Sequence, residues 1–242
     1  MGSYEQFVDA IMEYSNKKIS SYVCVANVHM LAESYKSPSL QEVVNSANIV
    51  TPDGMPLAKA FKYLYQQDQI RVDGMSLLPL LLQKCIHTNQ SVFFYGGTPY
   101  MLERTRHYLK RNFPELEIAG TYSPPFRTLT EDESAHIVGV IKDAQPNIVF
   151  VVLGCPKQEW WMAEMKGRIP SIMIGVGGAL PVLIGMKRRA PVWMQRNSLE
   201  WFFRFVQEPK RLFKRYYKSN RLFLYLMLKA KLNKQKADII PK

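Results

Sequence analysis

Four short apolar runs without polar alternation punctuate the chain, at residues 22–26, 91–95, 147–153 and 171–174. Uninterrupted runs of this length predict strands of a parallel sheet covered on both faces. Amphipathic stretches between them predict helices over 76–86, 99–112 and 130–143. In the second, Leu102, Thr105, Tyr108 and Leu109 share one stripe. The third opens Thr130-Glu131-Asp132-Glu133, the spacing of a capping box with Thr130 as N-cap. Its acidic triplet therefore reads as helix capping in preference to a metal motif. Alternating strands and helices predict a doubly wound, Rossmann-like α/β sheet, mostly parallel, with ligands beyond the carboxyl ends of the strands.

The pattern changes near the end. Leu199, Phe202, Phe203 and Val206 recur at helical spacing, and Pro209 marks a break or a new helix start. Leu212, Phe213, Tyr216 and Tyr217 resume the apolar stripe, while Arg204, Arg211, Arg215 and Lys218 fall on another. Residues 222–228 are all apolar, a run too short to span a bilayer. The final stretch, 229–242, is polar and basic and is expected to fray.

Charge sharpens this division. Of a net +12, residues 187–242 carry 16 Lys/Arg against 3 Asp/Glu, whereas residues 1–186 carry 16 against 17. A near-neutral body thus precedes a basic, aromatic-rich tail. Such a tail fits an interfacial anchor on anionic lipid, or a helical pair packed on the body with a solvated basic face; both can hold at once. Nucleic-acid binding is the rival reading, but phosphate contacts do not call for the 222–228 run, so no nucleic acid is expected. A third reading makes the tail the interface of a homo-oligomer. The three cysteines lie far apart and offer neither a disulfide framework nor a zinc knuckle, which suits a reducing compartment. Residues 1–10 lack a basic start and an apolar core, so no signal peptide is expected.

Candidate chemistry clusters after the predicted strands. Gly96-Gly97, Gly154-Cys155-Pro156-Lys157-Gln158 and Gly175-Val176-Gly177-Gly178 each follow one. Glycines here let a backbone approach a phosphate, or simply close a tight turn. Three such turns at one edge favour a nucleotide or nucleotide-sugar pocket. Their spacing does not match the dinucleotide fingerprint, so NAD is not supported. Thr51-Pro52-Asp53-Gly54 is either an ordinary turn or a carboxylate held at a strand end. Arg71 and Asp73 read as a surface pair or as a phosphate-binding arginine with its neighbour. No Asp-X-Asp triplet occurs, and His29, His87, His107 and His136 show no ligand spacing, so no metal is expected. His29 is a weak candidate for the pocket border. Cys155 has no partner histidine in the sequence, which argues against a nucleophile.

These motifs form an ordered series: Thr51-Pro52-Asp53-Gly54-Met55-Pro56, Arg71-Val72-Asp73-Gly74, Phe94-Tyr95-Gly96-Gly97, Gly154-Cys155-Pro156-Lys157-Gln158-Glu159 and Gly175-Val176-Gly177-Gly178-Ala179. Arg189-Ala190-Pro191, Leu199-Glu200-Trp201-Phe202-Phe203-Arg204 and Glu208-Pro209-Lys210-Arg211 complete it. The series, over about residues 22–217, resembles the WecG/TagA/CpsF family of bacterial glycosyltransferases. The resemblance implies an inverting, metal-independent transferase without a cofactor. It would move a sugar, N-acetylmannosamine-type or glucose-type, from a UDP-sugar to a polyprenyl-diphosphate-linked saccharide for teichoic acid, exopolysaccharide or related cell-wall synthesis. The enzyme would sit peripherally on the cytoplasmic membrane surface, at its inner face. It implies Asp53 as catalytic base. Asn27, Arg71, Gly96, Gly97, Gln158, Gly177, Gly178, Arg204 and Arg211 would bind substrate. Residues 1–195 would form the nucleotide-sugar-binding catalytic domain and 196–242 the membrane-associating appendage. Two departures stand out. Val25 replaces the threonine many members carry two positions before Asn27, and the extra strand that usually precedes the segment matching 4–14 is not expected.

Overall fold

The computed structural model describes residues 2–196 and 198–239. Among these, strands β1 (Ser21–Ala26), β2 (Ile49–Pro52), β3 (Val92–Gly96), β4 (Ile118–Tyr122), β5 (Ile148–Val152) and β6 (Ile172–Gly175) form one sheet. Its order is β2-β1-β6-β5-β3-β4. Every pairing is parallel, so the sheet is fully and not just mostly parallel. β1, β3, β5 and β6 fall on the four apolar runs. β2 and β4, the two edges, are additional.

Alternate side chains supply two cores. Val23, Phe94, Phe150 and Ile174 point to one face, under α1 (Tyr4–Asn16), α5 (Gly74–His87), α6 (Pro99–Asn112) and α9 (Ala179–Leu183). Tyr22, Cys24, Phe93, Tyr95, Val151 and Met173 point to the other, under α2 (Val28–Lys36), α3 (Pro38–Asn45), α7 (Glu131–Ala144) and α8 (Lys157–Met165). Helices on both faces make the sheet doubly wound. The α7 capping box forms as expected: Thr130 Oγ1 accepts from Glu133 N, and the Glu133 carboxylate accepts from Thr130 N.

Because all strands run the same way, their carboxyl ends share one edge. β1 leads into α2 on one face, whereas its neighbour β6 leads into α9 on the other. Diverging connections from adjacent strands leave a crevice above their ends. α4 (Met55–Tyr65) starts at the same edge after β2.

The tail comprises α10 (Val192–Arg196), α11 (Glu200–Gln207) and α12 (Pro209–Ile239), the last opening at Pro209. α12 packs on α2 and α4. Leu212 and Ser219 are buried, and Arg215, Tyr216, Leu222, Phe223, Leu226 and Met227 are half-buried. A second stripe, Phe213, Tyr217, Leu224, Tyr225, Leu228 and Leu232, is exposed. The 222–228 run is therefore divided between an inward and an outward face. Helix continues through the polar, basic stretch from 229 as far as Ile239; residues 240–242 lie outside the described residues. Among the described residues no helix is long and apolar enough to cross a membrane.

Candidate active site

Asp53 stands immediately after β2. Its N–H donates to Ala26 O at 2.6 Å, which ties the turn to the end of β1. Val72 N in turn donates to Pro52 O at 2.9 Å and brings the 71–73 segment alongside. Gly54 follows at φ 107°, a left-handed region open to glycine, so the chain can reverse directly into α4. The backbone that carries the carboxylate is thus fixed on both sides. Its side chain keeps 22% exposure, so it is reachable from the crevice.

Arg71 occupies the centre of a charged cluster. Its Nη2 lies 2.6 Å from Glu200 Oε2 and 3.5 Å from Asp73 Oδ2, and its Nε lies 4.0 Å from Asp53 Oδ1. Asp73 also caps α5, accepting from Ser76 N at 3.1 Å, and faces Arg189 at 4.0 Å. Arg71 and Asp73 side chains are only 16% and 11% exposed, so they are not a surface pair. Burial of the Asp53 carboxyl, together with the Asp73 charge, pushes its pKa up to about 7; Arg71 and Arg204 pull it down, and Glu200 pushes it up further. A carboxylate with that proton affinity can accept a proton near neutral pH.

The glycine turns meet beside this cluster. Gln158, buried at the start of α8, accepts from Gly154 N at 3.1 Å and donates to Glu159 Oε1 at 2.8 Å. A Cβ on Gly177 would come within 3.0 Å of Gln158 Oε1, and one on Gly175 within 2.7 Å of its Nε2. Gln158 therefore fastens the β5 turn against the β6 turn. A Cβ on Gly178 would lie 3.2 Å from Arg204 Nη2, which fixes that guanidinium, on α11, over the β6 turn. Asn27 caps α2, its Oδ1 accepting from His29 N and Met30 N. Gly96 and Gly97 close β3 at φ 102° and 76°, and a Cβ on Gly96 would strike Val152 O at 2.7 Å.

Asp53, Arg71, Arg204 and Gly178 thus converge, with Asn27, Gln158 and Gly177 at the neighbouring strand ends and Gly96 and Gly97 further along the edge. Arg211 does not join them: it is exposed and pairs with Glu208, which also holds Lys187. Arg215 lies deeper. Its Nε is buried without a partner, and burial, with the charges of Arg211 and Arg204, lowers its pKa. His29 borders this region, half-buried, with Nδ1 3.3 Å from Ser219 Oγ. Burial raises the Cys155 thiol, whose neighbour is Glu159, so no thiolate nucleophile is available. A hollow of about 610 Å³ along α6, lined by Tyr100, Arg104, His107 and Ile184, holds none of these residues. Among the described residues no three His, Cys, Asp or Glu side chains group as metal ligands. Asp73, read from the sequence as the neighbour of Arg71, joins the site, and so do Glu200 and Arg189, which stood inside the motifs without a role assigned to them.

Residues 1–237 match the model of the glycosyl transferase WecG/TagA/CpsF family. The chain is similar to N-acetylglucosaminyldiphosphoundecaprenol N-acetyl-beta-D-mannosaminyltransferase of Bacillus spizizenii, 31% identical over 82% of this chain and 76% of the relative. It is also similar to the protein of that name from Staphylococcus aureus strain MW2, 32% identical over 89% of this chain and 83% of the relative. A match along nearly the whole chain, with the motifs gathered at one sheet edge, shows that this protein belongs to the WecG/TagA/CpsF family of glycosyl transferases.

Proposed function

We propose that the chain is an inverting, metal-independent glycosyltransferase that moves a sugar from a UDP-sugar to a polyprenyl-diphosphate-linked saccharide. The relatives' names favour N-acetylmannosamine as the sugar and an N-acetylglucosaminyl-diphosphoundecaprenol acceptor. The observation that carries this reading is Asp53: a carboxylate of raised proton affinity, open to the crevice, beside Arg71 and Arg204.

In the proposed reaction Asp53 takes the proton of the acceptor hydroxyl. The hydroxyl oxygen forms its bond to the anomeric carbon from the face opposite UDP, and the bond to the diphosphate oxygen breaks, with the electron pair leaving on UDP. Inversion needs only this one base. Negative charge grows on the departing diphosphate, where Arg71 and Arg204 offer fixed positive partners. Residues 1–195 act as the catalytic unit and 196–242 as an appendage that completes the site and rests on the inner membrane face.

A panel of UDP-sugars offered with purified lipid-linked acceptors tests the reading. UDP-N-acetylmannosamine should support transfer in the presence of EDTA. Asp53→Asn should lower turnover by at least ~10²-fold while UDP binding persists. Near-normal transfer by folded Asp53→Asn protein, or transfer that needs added manganese or magnesium, would overturn it.

A further inference from the structure

α11 carries two charged side chains to the crevice one turn apart, Glu200 and Arg204. Of its bulky residues, Trp201, Phe202 and Val206 are exposed and Phe203 and Phe205 half-buried, yet Glu200 is 7% exposed. Burying a carboxylate is unfavourable unless a charge pairs with it. Here the partner is Arg71, through Nη2 at 2.6 Å. Asp73 draws the same Nη2 at 3.5 Å. The guanidinium is held by that end, and its Nε faces Asp53 at 4.0 Å, beyond hydrogen-bond range. Arg71 Nε is accordingly a buried donor without a partner. Asp53 is the carboxylate that approaches Arg71 through this Nε, and a forked Arg–carboxylate pair is among the strongest contacts available.

We propose that Glu200 is a positioning residue: by anchoring Arg71 from the tail, it keeps the guanidinium from closing onto Asp53 and leaves the base free. This rests on the reading of Asp53 as the base. The charged groups facing Asp53 are Asp73 at the start of α5, Arg71 just before it, and Glu200 and Arg204 on α11. Behind them, Tyr4 of α1 and Arg189 face Asp73. Of the described charged groups facing Asp53, Glu200 and Arg204 are the two that come from α11, so docking of α11 delivers the anchor and a phosphate-binding cation together.

Loss of the Glu200 charge acts twice in one direction. It removes an anion that raises the proton affinity of Asp53, and it frees Arg71 to pair with Asp53 and lower that affinity. The experiment is a ¹³C NMR titration of aspartate carboxyls in the full chain without substrate, the Asp53 signal being assigned by its loss in Asp53→Asn. In Glu200→Gln, nearly isosteric, the Asp53 midpoint should fall by about one pH unit or more. The acid limb of transfer should move the same way. An unchanged or higher midpoint in folded Glu200→Gln protein overturns the inference. Should that variant fail to fold, Glu200→Asp retracts the carboxylate by one methylene, and the same two outcomes decide. Titration is read apart from activity. A fallen midpoint in a protein whose wild type transfers no sugar leaves the anchoring role standing and removes the glycosyltransferase reading; transfer with an unmoved midpoint does the reverse.

Discussion

Asp53 carries its raised proton affinity at a cost in stability, and the sign can be worked out. Its ordinary value is 3.8 and its value in the fold is about 7. Between these, the unfolded chain has released a proton that the folded chain retains. Stability from this group is therefore undiminished below the unfolded value and falls as pH rises through the folded one. Asparagine cannot ionise, so Asp53→Asn should melt progressively above wild type as pH rises from 4 to 8. For a chain of this size each kcal/mol moves the melting temperature by about 2–4 °C, so several degrees are expected. A pH-independent difference in calorimetry would show that the carboxyl titrates normally. Asp53 stood out in the sequence because proline and glycine bracket it at a turn, and glycines marked the three other turns; its role as base, and Asn27 altogether, came from the family resemblance. Glu200 was not: one acid in a strongly basic stretch reads as solvated. Its burial depends on Arg71, 129 positions away, and that contact exists only once α11 is docked. The one local sign was its spacing from Arg204, which sets both on one helical face.

Elements differed in legibility for an equally physical reason. Central strands buried on both faces left continuous apolar runs. The edges did not. β2 has four residues with Val50 exposed, and every residue of β4 is half-buried, with Gly120 in the middle. That glycine is required by packing, since a Cβ there would fall 2.6 Å from the Phe93 ring, yet in sequence it reads as a loop. In the tail, the 222–228 run left anchoring and packing on the body undivided in the sequence, and α12 divides them by turning Leu222, Phe223 and Leu226 toward the body and Leu224, Tyr225 and Leu228 outward. The two sets should behave differently. Polar replacement of Leu224, Tyr225 and Leu228 should weaken vesicle binding and leave the melting temperature nearly unchanged. Polar replacement of Leu222, Phe223 and Leu226 should instead lower the melting temperature, because half-buried apolar contacts are lost. Vesicle flotation and calorimetry on both triple variants would separate them, and equal loss of flotation in both would sink the two-stripe assignment.

Across the whole molecule, charge and site chemistry occupy opposite sides of the same tail. Residues 187–242 hold 16 Lys/Arg and 3 Asp/Glu, so on the proposed peripheral placement an anionic surface would attract the tail and not the near-neutral body. Lys214, Lys218, Arg221, Lys229 and Lys231 are exposed alongside the outward apolar stripe. Each basic residue near such a surface contributes roughly 1 kcal/mol, so several together govern partitioning and no single one does. Arg204 differs in kind: it faces Gly178 and Asp53 from the inner side of α11, while Trp201, Phe202 and Val206 face out. Arg204→Ala should therefore reduce transfer by at least ~10-fold, the equivalent of one lost charge-assisted contact, with vesicle binding almost unchanged. Raising salt should do the opposite. The screening length shrinks from about 10 Å at 0.1 M to about 3 Å at 1 M. The protein should then leave anionic vesicles, while transfer to a short water-soluble acceptor persists. Flotation on anionic and uncharged vesicles across that salt range, run beside the soluble-acceptor assay, reads both effects. If Arg204→Ala lost vesicle binding in proportion to transfer, the tail would present one surface to both membrane and substrate, and the assignment of opposite faces would be wrong.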